Sequence, residues 1–133
     1  MPAKTTKSKY VDGFVLVIHK DKVAEYKKMA RDGAKAWKKF GALDYKECMG
    51  EDLEIKGSAD MPAPLSFTQM AKAGPDETVW FSFITFKSKA HRNEVNAKVM
   101  AYFDKKYAGK TDVPMPMDTK RMAYGGFSVV VSS

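Results

Sequence analysis

The feature that most constrains the fold of this chain is a pair of strand-like segments that are apolar on both faces. Residues 10–18, YVDGFVLVI, and residues 78–86, TVWFSFITF, consist mainly of β-branched and aromatic residues, which favour strands. A strand with one wet face shows polar residues at alternate positions, and neither segment does. Both are therefore predicted to be central strands of a sheet whose two faces are covered.

A helical pattern follows each of these segments. Between residues 21 and 41 apolar side chains recur along one stripe, with Asp21 as the predicted N-cap and Gly41 as the C-terminal stop. Ser88 is the predicted cap of a second helix. The predicted core stripe of the first helix is Val23, Tyr26, Ala30, Gly33, Ala34, Trp37 and Phe40.

Two further strands complete the pattern. Residues 42–49, ALDYKECM, alternate and carry charges, which is typical of an edge strand, and residues 122–131 form the last strand. The order β-α-β-β-α-β predicts an α+β, ferredoxin-like sandwich with a four-stranded antiparallel sheet and two helices on one face. The long connections 50–77 and 104–121 are typical of lids, binding loops or arms that contact a partner.

The second face of such a sheet needs its own cover. Two helices cover one face only, and leaving several large apolar side chains in water would forgo roughly 1.5–3 kcal/mol each. The cover is either the same face of a second copy around a two-fold axis or a long loop that folds across the sheet. The sequence favours the homodimer, in which two sheets pack face to face as a dimeric α/β barrel.

Composition sets the broad class. A chain of 133 residues makes one domain, predicted at residues 10–133 behind a flexible basic tail at residues 1–9. The net charge is +7, but the lysines of that tail supply part of it, so the surplus does not by itself indicate a nucleic-acid partner. Cys48 is the one cysteine, which fits a reducing cytoplasm, and it is expected to be a buried, inert thiol. No apolar run approaches membrane length.

Four segments carry a resemblance to a known family. They are YVDGFV at the first strand, GALDYKEC at the second, FKSKAHRNEVNAKVM at the second helix and MPMDTKRMAYGGF at the end. With them the chain resembles, over nearly all of residues 9–131, the bacterial YbaA-like family of unknown function in the dimeric α/β-barrel superfamily. The family pattern Met-Pro-Phe-Asp-Gly-Lys-Arg-Met has Met117 and Thr119 here in place of Phe and Gly, and ADMPAPL departs from the usual shorter segment.

The resemblance implies a ferredoxin-like homodimer, but it brings no established substrate and no assigned catalytic residue. Superfamily relatives include cofactor-independent monooxygenases, haem-handling enzymes and isomerases. An oxygenase- or isomerase-like role for this chain is therefore an analogy at the level of the fold.

Arg92 is the anomaly of the second helix, because a helical wheel places it on the core-facing arc. A buried guanidinium needs acceptors, and the topology brings Asp12 of the first strand to the same pole. Two interpretations stay open. One is a structural ion pair. The other is a ligand site for a small anionic or aromatic molecule, with the candidate residues Arg92, Asn96, Asp12, His91 and Trp37.

Three function classes remain. They are a small-molecule binder or enzyme, a non-catalytic structural or regulatory homodimer, and an RNA-binding module. The first is favoured, and specific nucleic-acid binding is disfavoured because the third strand lacks the Lys/Arg-Gly-aromatic pattern of RNA-recognition domains. His19 and His91 fall at opposite poles, and no metal, phosphate-loop or dinucleotide motif occurs, so no metal and no cofactor are predicted.

Overall fold

A computed structural model describes residues 7–110 and 115–133. Within them the chain forms four strands and three α-helices, joined in part by short 3₁₀ turns at Lys20–Lys22 and Thr119–Arg121. No helix of these ranges is both long enough and apolar enough to cross a membrane. The elements are β1 (Tyr10–His19), α1 (Val23–Lys39), β2 (Asp44–Met49), α2 (Phe67–Met70), β3 (Glu77–Phe86), α3 (Lys89–Lys106) and β4 (Ala123–Ser128).

The sheet confirms the predicted α+β, ferredoxin-like architecture. Its strand order is β2-β3-β1-β4 and each neighbouring pair is antiparallel. β1 and β3 lie in the centre and pair along their full length, from Tyr10 opposite Phe86 to His19 opposite Glu77. The two apolar segments are therefore the central strands, as their composition predicts.

The helix ends follow the capping signals in all but one case. The backbone N–H of His91 donates to Ser88 Oγ at 3.0 Å, which confirms the predicted cap of α3. Gly41 adopts φ +113°, and the backbone N–H groups of Gly41 and Ala42 close a Schellman-type end on the carbonyls of α1. The prediction that Asp21 caps α1 is wrong, because Lys20–Lys22 form a 3₁₀ turn and α1 begins only at Val23.

The last strand is shorter than predicted. β4 ends at Ser128, which is paired with Tyr10, the first residue of β1. Beyond that point β1 offers no further partner, and Val130 and Val131 are almost fully exposed. Of the predicted tail, residues 1–6 lie outside the described residues, while the Lys9 backbone bonds to Phe86 and Val129.

The two faces of the sheet are covered differently. On one face α1 and α3 enclose side chains such as Leu16, Ile18, Phe86, Val95 and Val99. On the other face Val17 and Val79 pack against Leu53, Ala71 and Ala73 of the connection between β2 and β3. This connection also forms α2, which the sequence pattern did not indicate. The loop that was the alternative cover therefore protects one end of the second face.

The other end of that face is open in a single chain. Strand alternation places Val11, Val15, Phe81 and Phe127 there, and a shallow depression runs between them. Phe81 is 47% exposed and Phe127 is 61% exposed. We call this region the open sheet face. It is an apolar patch of the kind that marks an interface.

A charged clamp fixes the chain as it enters β4. The Arg121 guanidinium donates to both carboxylate oxygens of Glu77, at 2.8 and 2.5 Å, and to Asp118 at 2.7 Å. It also donates to the Lys72 carbonyl at 2.8 Å. One side chain thus ties the connection after α3 to β3 and to the turn after α2. The hydrogen bonds from Arg121, helped by one from the Gly74 backbone, lower the pKa of Glu77 to about 2.

This clamp predicts an acid-sensitive contribution to stability. The folded pKa of Glu77, about 2, lies below the roughly 4.3 of an unfolded glutamate. Glu77 therefore stabilises the fold above about pH 4.3, and that contribution is lost as the pH falls towards 2. Urea unfolding between pH 2.5 and 6 should show a flatter acid dependence for E77Q than for the wild type. The control E25Q removes an exposed charge but keeps the clamp, and a slope of E77Q equal to that of E25Q would contradict the prediction.

Candidate functional site

A cavity of about 430 Å³ lies between the sheet and the helices. We call it the sheet–helix cavity. It is bounded by the helix-facing side chains of β1, β2 and β3, by one side of α1, by the end of α3 and by the chain just before β4. Its apolar and aromatic lining includes Phe14, Leu16, Met29, Ala30, Trp37, Ile84, Phe103, Tyr107, Met115, Met117 and Met122.

One carboxylate, that of Glu47, belongs to the cavity wall. Strand alternation turns Glu47 of β2 to the helix side, opposite Ser82 of β3, and Tyr26 reaches it from α1. The hydroxyl of Tyr45 donates to Glu47 Oε1 at 2.8 Å, and that of Tyr26 donates to Oε2 at 2.8 Å. The hydroxyl of Ser82 also donates to Oε2. Three neutral donors therefore converge on one carboxylate.

The electrostatics of this cluster keep the donors protonated. Burial, and then the negative charge of Glu47, raise the pKa of Tyr26 and of Tyr45 far above the usual value for a tyrosine. Within residues 7–110 and 115–133, no cationic side chain lies within 4.0 Å of the Glu47 carboxylate. Glu47 is thus held by hydrogen bonds without a neutralising partner.

Four of the five predicted site residues form a second polar cluster. Arg92 Nε lies 3.6 Å from Asp12 Oδ1, which confirms the predicted ion pair, and Asp12 is 1% exposed. Asn96 donates to Asp12 Oδ2 at 3.3 Å and accepts from Trp37 Nε1 at 3.0 Å. The guanidinium also donates to the hydroxyl of Tyr10 at 3.0 Å. This network joins the start of β1 to α1 and α3.

The fifth predicted residue, His91, does not join the network. Its Nδ1 accepts from the Lys87 backbone at 3.0 Å, and its ring packs edge-on against Phe86. Of the five candidates Trp37 lines the sheet–helix cavity, whereas Asp12, His91, Arg92 and Asn96 are not part of its wall. Arg92 Nε and Asp12 Oδ1 face each other at 3.6 Å, and neither atom makes a hydrogen bond within the described residues, so the contact is one of charge. A ligand-binding role for Arg92 and its neighbours stays a prediction.

Two other expectations concern reactive side chains. Cys48 is exposed, so the prediction of a buried thiol is wrong. It lies opposite Phe81 on an edge strand, where no outer neighbour covers it. In the part of the chain that the structure describes, no three His, Cys, Asp or Glu side chains are grouped so that they could hold a metal ion.

The sequence contained a signal for Glu47 that the strand prediction did not use. In DYKECM the alternation that sets Tyr45 against Asp44 and Lys46 also puts Glu47 on the side of Tyr45. Likewise Ser82 is a polar residue in the core-facing row of β3, where its neighbours are Trp80 and Ile84. An acid and a hydroxyl that face the core from paired strands indicate a polar site between sheet and helices.

The fold and this cavity define a ferredoxin-like α+β protein with an apolar chamber in which Glu47 is the acid among the described lining residues. The family model for "Protein of unknown function (DUF1428)" matches residues 9–119, and the chain belongs to this family. The chain is 39% identical to "Uncharacterized protein YbaA" of Escherichia coli K12 over 123 residues, which is 92% of this chain and 97% of that protein. The YbaA protein of Shigella flexneri matches with the same identity and coverage.

The buried ion pair predicts a large cost for losing one partner. Replacement of Arg92 by Ala leaves the buried Asp12 without its cation, although Asn96 and Tyr124 still donate to it. We expect a loss of about 3 kcal/mol in the free energy of unfolding, measured by urea denaturation. The control K98A removes an exposed lysine that pairs with Glu94 on the same helix and should cost less than about 0.5 kcal/mol. Equal losses for the two variants would contradict a buried structural pair.

Proposed function

We propose that this protein binds a small, largely apolar molecule in the sheet–helix cavity. The observation that carries the proposal is an apolar chamber of about 430 Å³ whose described wall includes the Glu47 carboxylate, held by three hydroxyl donors. Ligand sites commonly have volumes of roughly 300–1,000 Å³, apolar walls and a few fixed polar groups that orient the ligand. The cavity has each of these properties.

We extend the proposal from binding to catalysis of a reaction of the bound molecule. The resemblance to the superfamily of monooxygenases and isomerases suggests an oxygenase- or isomerase-like reaction, which would need a group that removes a proton from the bound molecule. Glu47 is the lining side chain suited to that role, because a carboxylate is a general base that needs no cofactor. A non-catalytic regulatory dimer that senses the same ligand is the alternative. Measured turnover separates the two.

The cavity proposal predicts that filling the chamber abolishes binding. Ala30 lines the cavity from α1 and is buried, so a leucine at this position projects into the chamber. Isothermal titration with a neutral probe such as 4-phenylbutanol should show affinity reduced at least about tenfold in A30L, because the added side chain occupies ligand volume. Ala24 is exposed on the same helix, and A24L should bind like the wild type. If no apolar probe distinguishes A30L from A24L, the proposal fails.

We further propose that two copies pair through the open sheet face as a homodimer in the cytoplasm. Phe81 and Phe127 are exposed on this face beside the partly buried Val11 and Val15, and covering them removes large side chains from water. Around a two-fold axis the open sheet face of each copy covers that of the other, so neither face stays in water. The exposed thiol of Cys48 fits a reducing compartment.

The dimer proposal predicts a mass of about twice 14.9 kDa by light scattering at micromolar concentration. F127D places a charge in the middle of the open sheet face and should shift the protein to a folded monomer. The control V130D lies beyond the end of β4, where Val130 is already 89% exposed, and should stay dimeric. A wild-type protein that is monomeric and folded would refute the proposal.

A further inference from the structure

We propose that the ligand of the sheet–helix cavity is an organic cation, an apolar molecule that carries a protonated amine bound to Glu47. This inference rests on the proposed binding function and adds the chemical class of the ligand. It is carried by the charge of the cavity wall and by the arrangement of the aromatic rings beside Glu47.

The charge of the wall favours a cation. Among the described residues that line the cavity, Glu47 is the charged one, and its neighbours Tyr26, Tyr45 and Ser82 are neutral donors. Such donors stabilise the carboxylate but do not cancel its charge. Oε2 accepts two hydrogen bonds and Oε1 accepts one, so Oε1 has an acceptor position left for a ligand. An ammonium group, which forms a charge-assisted hydrogen bond to a carboxylate, is the strongest partner for that position.

The aromatic rings beside Glu47 also favour a cationic ligand. Tyr45, which donates to Glu47, has its ring centroid 5.9 Å from that of Trp37. Trp37 is in turn 6.2 Å from Phe103, and Phe103 stacks on Tyr107 at 5.9 Å. These four side chains all line the cavity. Aromatic faces attract organic cations and also cover an apolar body, so a row of rings that ends at a carboxylate matches a molecule with an amine at one end.

The surface charges near the cavity do not oppose this assignment. Lys106 and Lys110 lie over the Tyr107 ring, with their ammonium groups 5.8 and 5.6 Å from its centroid. Both residues are exposed, so water and salt screen their charges from the Glu47 end of the chamber. An anionic ligand would meet the Glu47 carboxylate inside the cavity and would be repelled by it.

Three probes of the same shape test the assignment in the unmodified protein. They are 4-phenylbutylamine, 4-phenylbutanol and 4-phenylbutanoate. Their affinities are measured by isothermal titration at neutral pH, and tryptophan fluorescence gives a second measurement of binding. We expect the amine to bind at least about tenfold more tightly than the alcohol, and the carboxylate to bind most weakly. A hydrogen bond to a charged group has the magnitude to give a factor of about 10 to 100.

The variant E47Q removes the charge and keeps the shape of the side chain. It should reduce the affinity for the amine by about 10- to 100-fold and change the affinity for the alcohol less than about threefold. The control E94Q removes one exposed charge from α3, away from the cavity, and should bind all three probes like the wild type. If E47Q does not fold, the order of the affinities of the three probes for the wild-type protein still tests whether the ligand is a cation.

The outcomes distinguish the inference from the proposal on which it rests. If the alcohol binds as tightly as the amine, or if E47Q keeps the affinity for the amine, the cationic ligand is refuted while apolar binding in the cavity stands. If none of the probes binds at millimolar concentration, the binding function itself fails and the inference fails with it. Amine binding that A30L leaves unchanged would place the cation outside the cavity and refute the assignment as well.

Discussion

The burial of both faces of the two central strands is the constraint on which the rest of this structure depends. β1 and β3 pair along ten residues, and most of the side chains on both of their faces are apolar. α1 and α3 cover one face, and the connection that contains α2 covers one end of the other. What these elements leave uncovered defines the two surfaces of interest, the sheet–helix cavity and the open sheet face.

The helix-side face contains two buried polar positions in its central strands, Asp12 and Ser82. Their surroundings differ, and the difference indicates a structural role for the first and a ligand site beside the second. Asp12 in β1 has a cation, Arg92, and neither of these two residues is part of the cavity wall. Ser82 in β3 donates to Glu47, which lines the chamber and, among the described residues, has hydroxyl partners only. The charge of Asp12 is offset by Arg92, whereas the half-buried Glu47 has neutral donors and retains charge that a ligand can use.

The fold was predictable because it depends on regular local patterns. Period-two and helical spacing gave the element order, and Ser88 and Gly41 gave helix ends, since a cap needs only its own few residues. Arg92 and Asp12 could be paired because the topology brings their elements to one pole. The start of α1 could not be predicted from Asp21, because the 3₁₀ turn before α1 competes for the same residues. The site around Glu47 depends on three separate elements, and no local pattern shows that Tyr26 reaches it.

The three hydroxyls explain why position 47 has a carboxylate, but they do not neutralise its charge. Tyr26 and Ser82 are each 3% exposed, so their hydroxyl groups would be costly without an acceptor, and this is a structural role for the side chain of Glu47. A glutamine would accept on one oxygen only and would turn its NH₂ donor towards a hydroxyl on the other side, whereas both oxygens of the carboxylate accept. The hydrogen bonds from neutral hydroxyls stabilise the negative charge of Glu47 without cancelling it. A ligand that brings its own positive charge would cancel it.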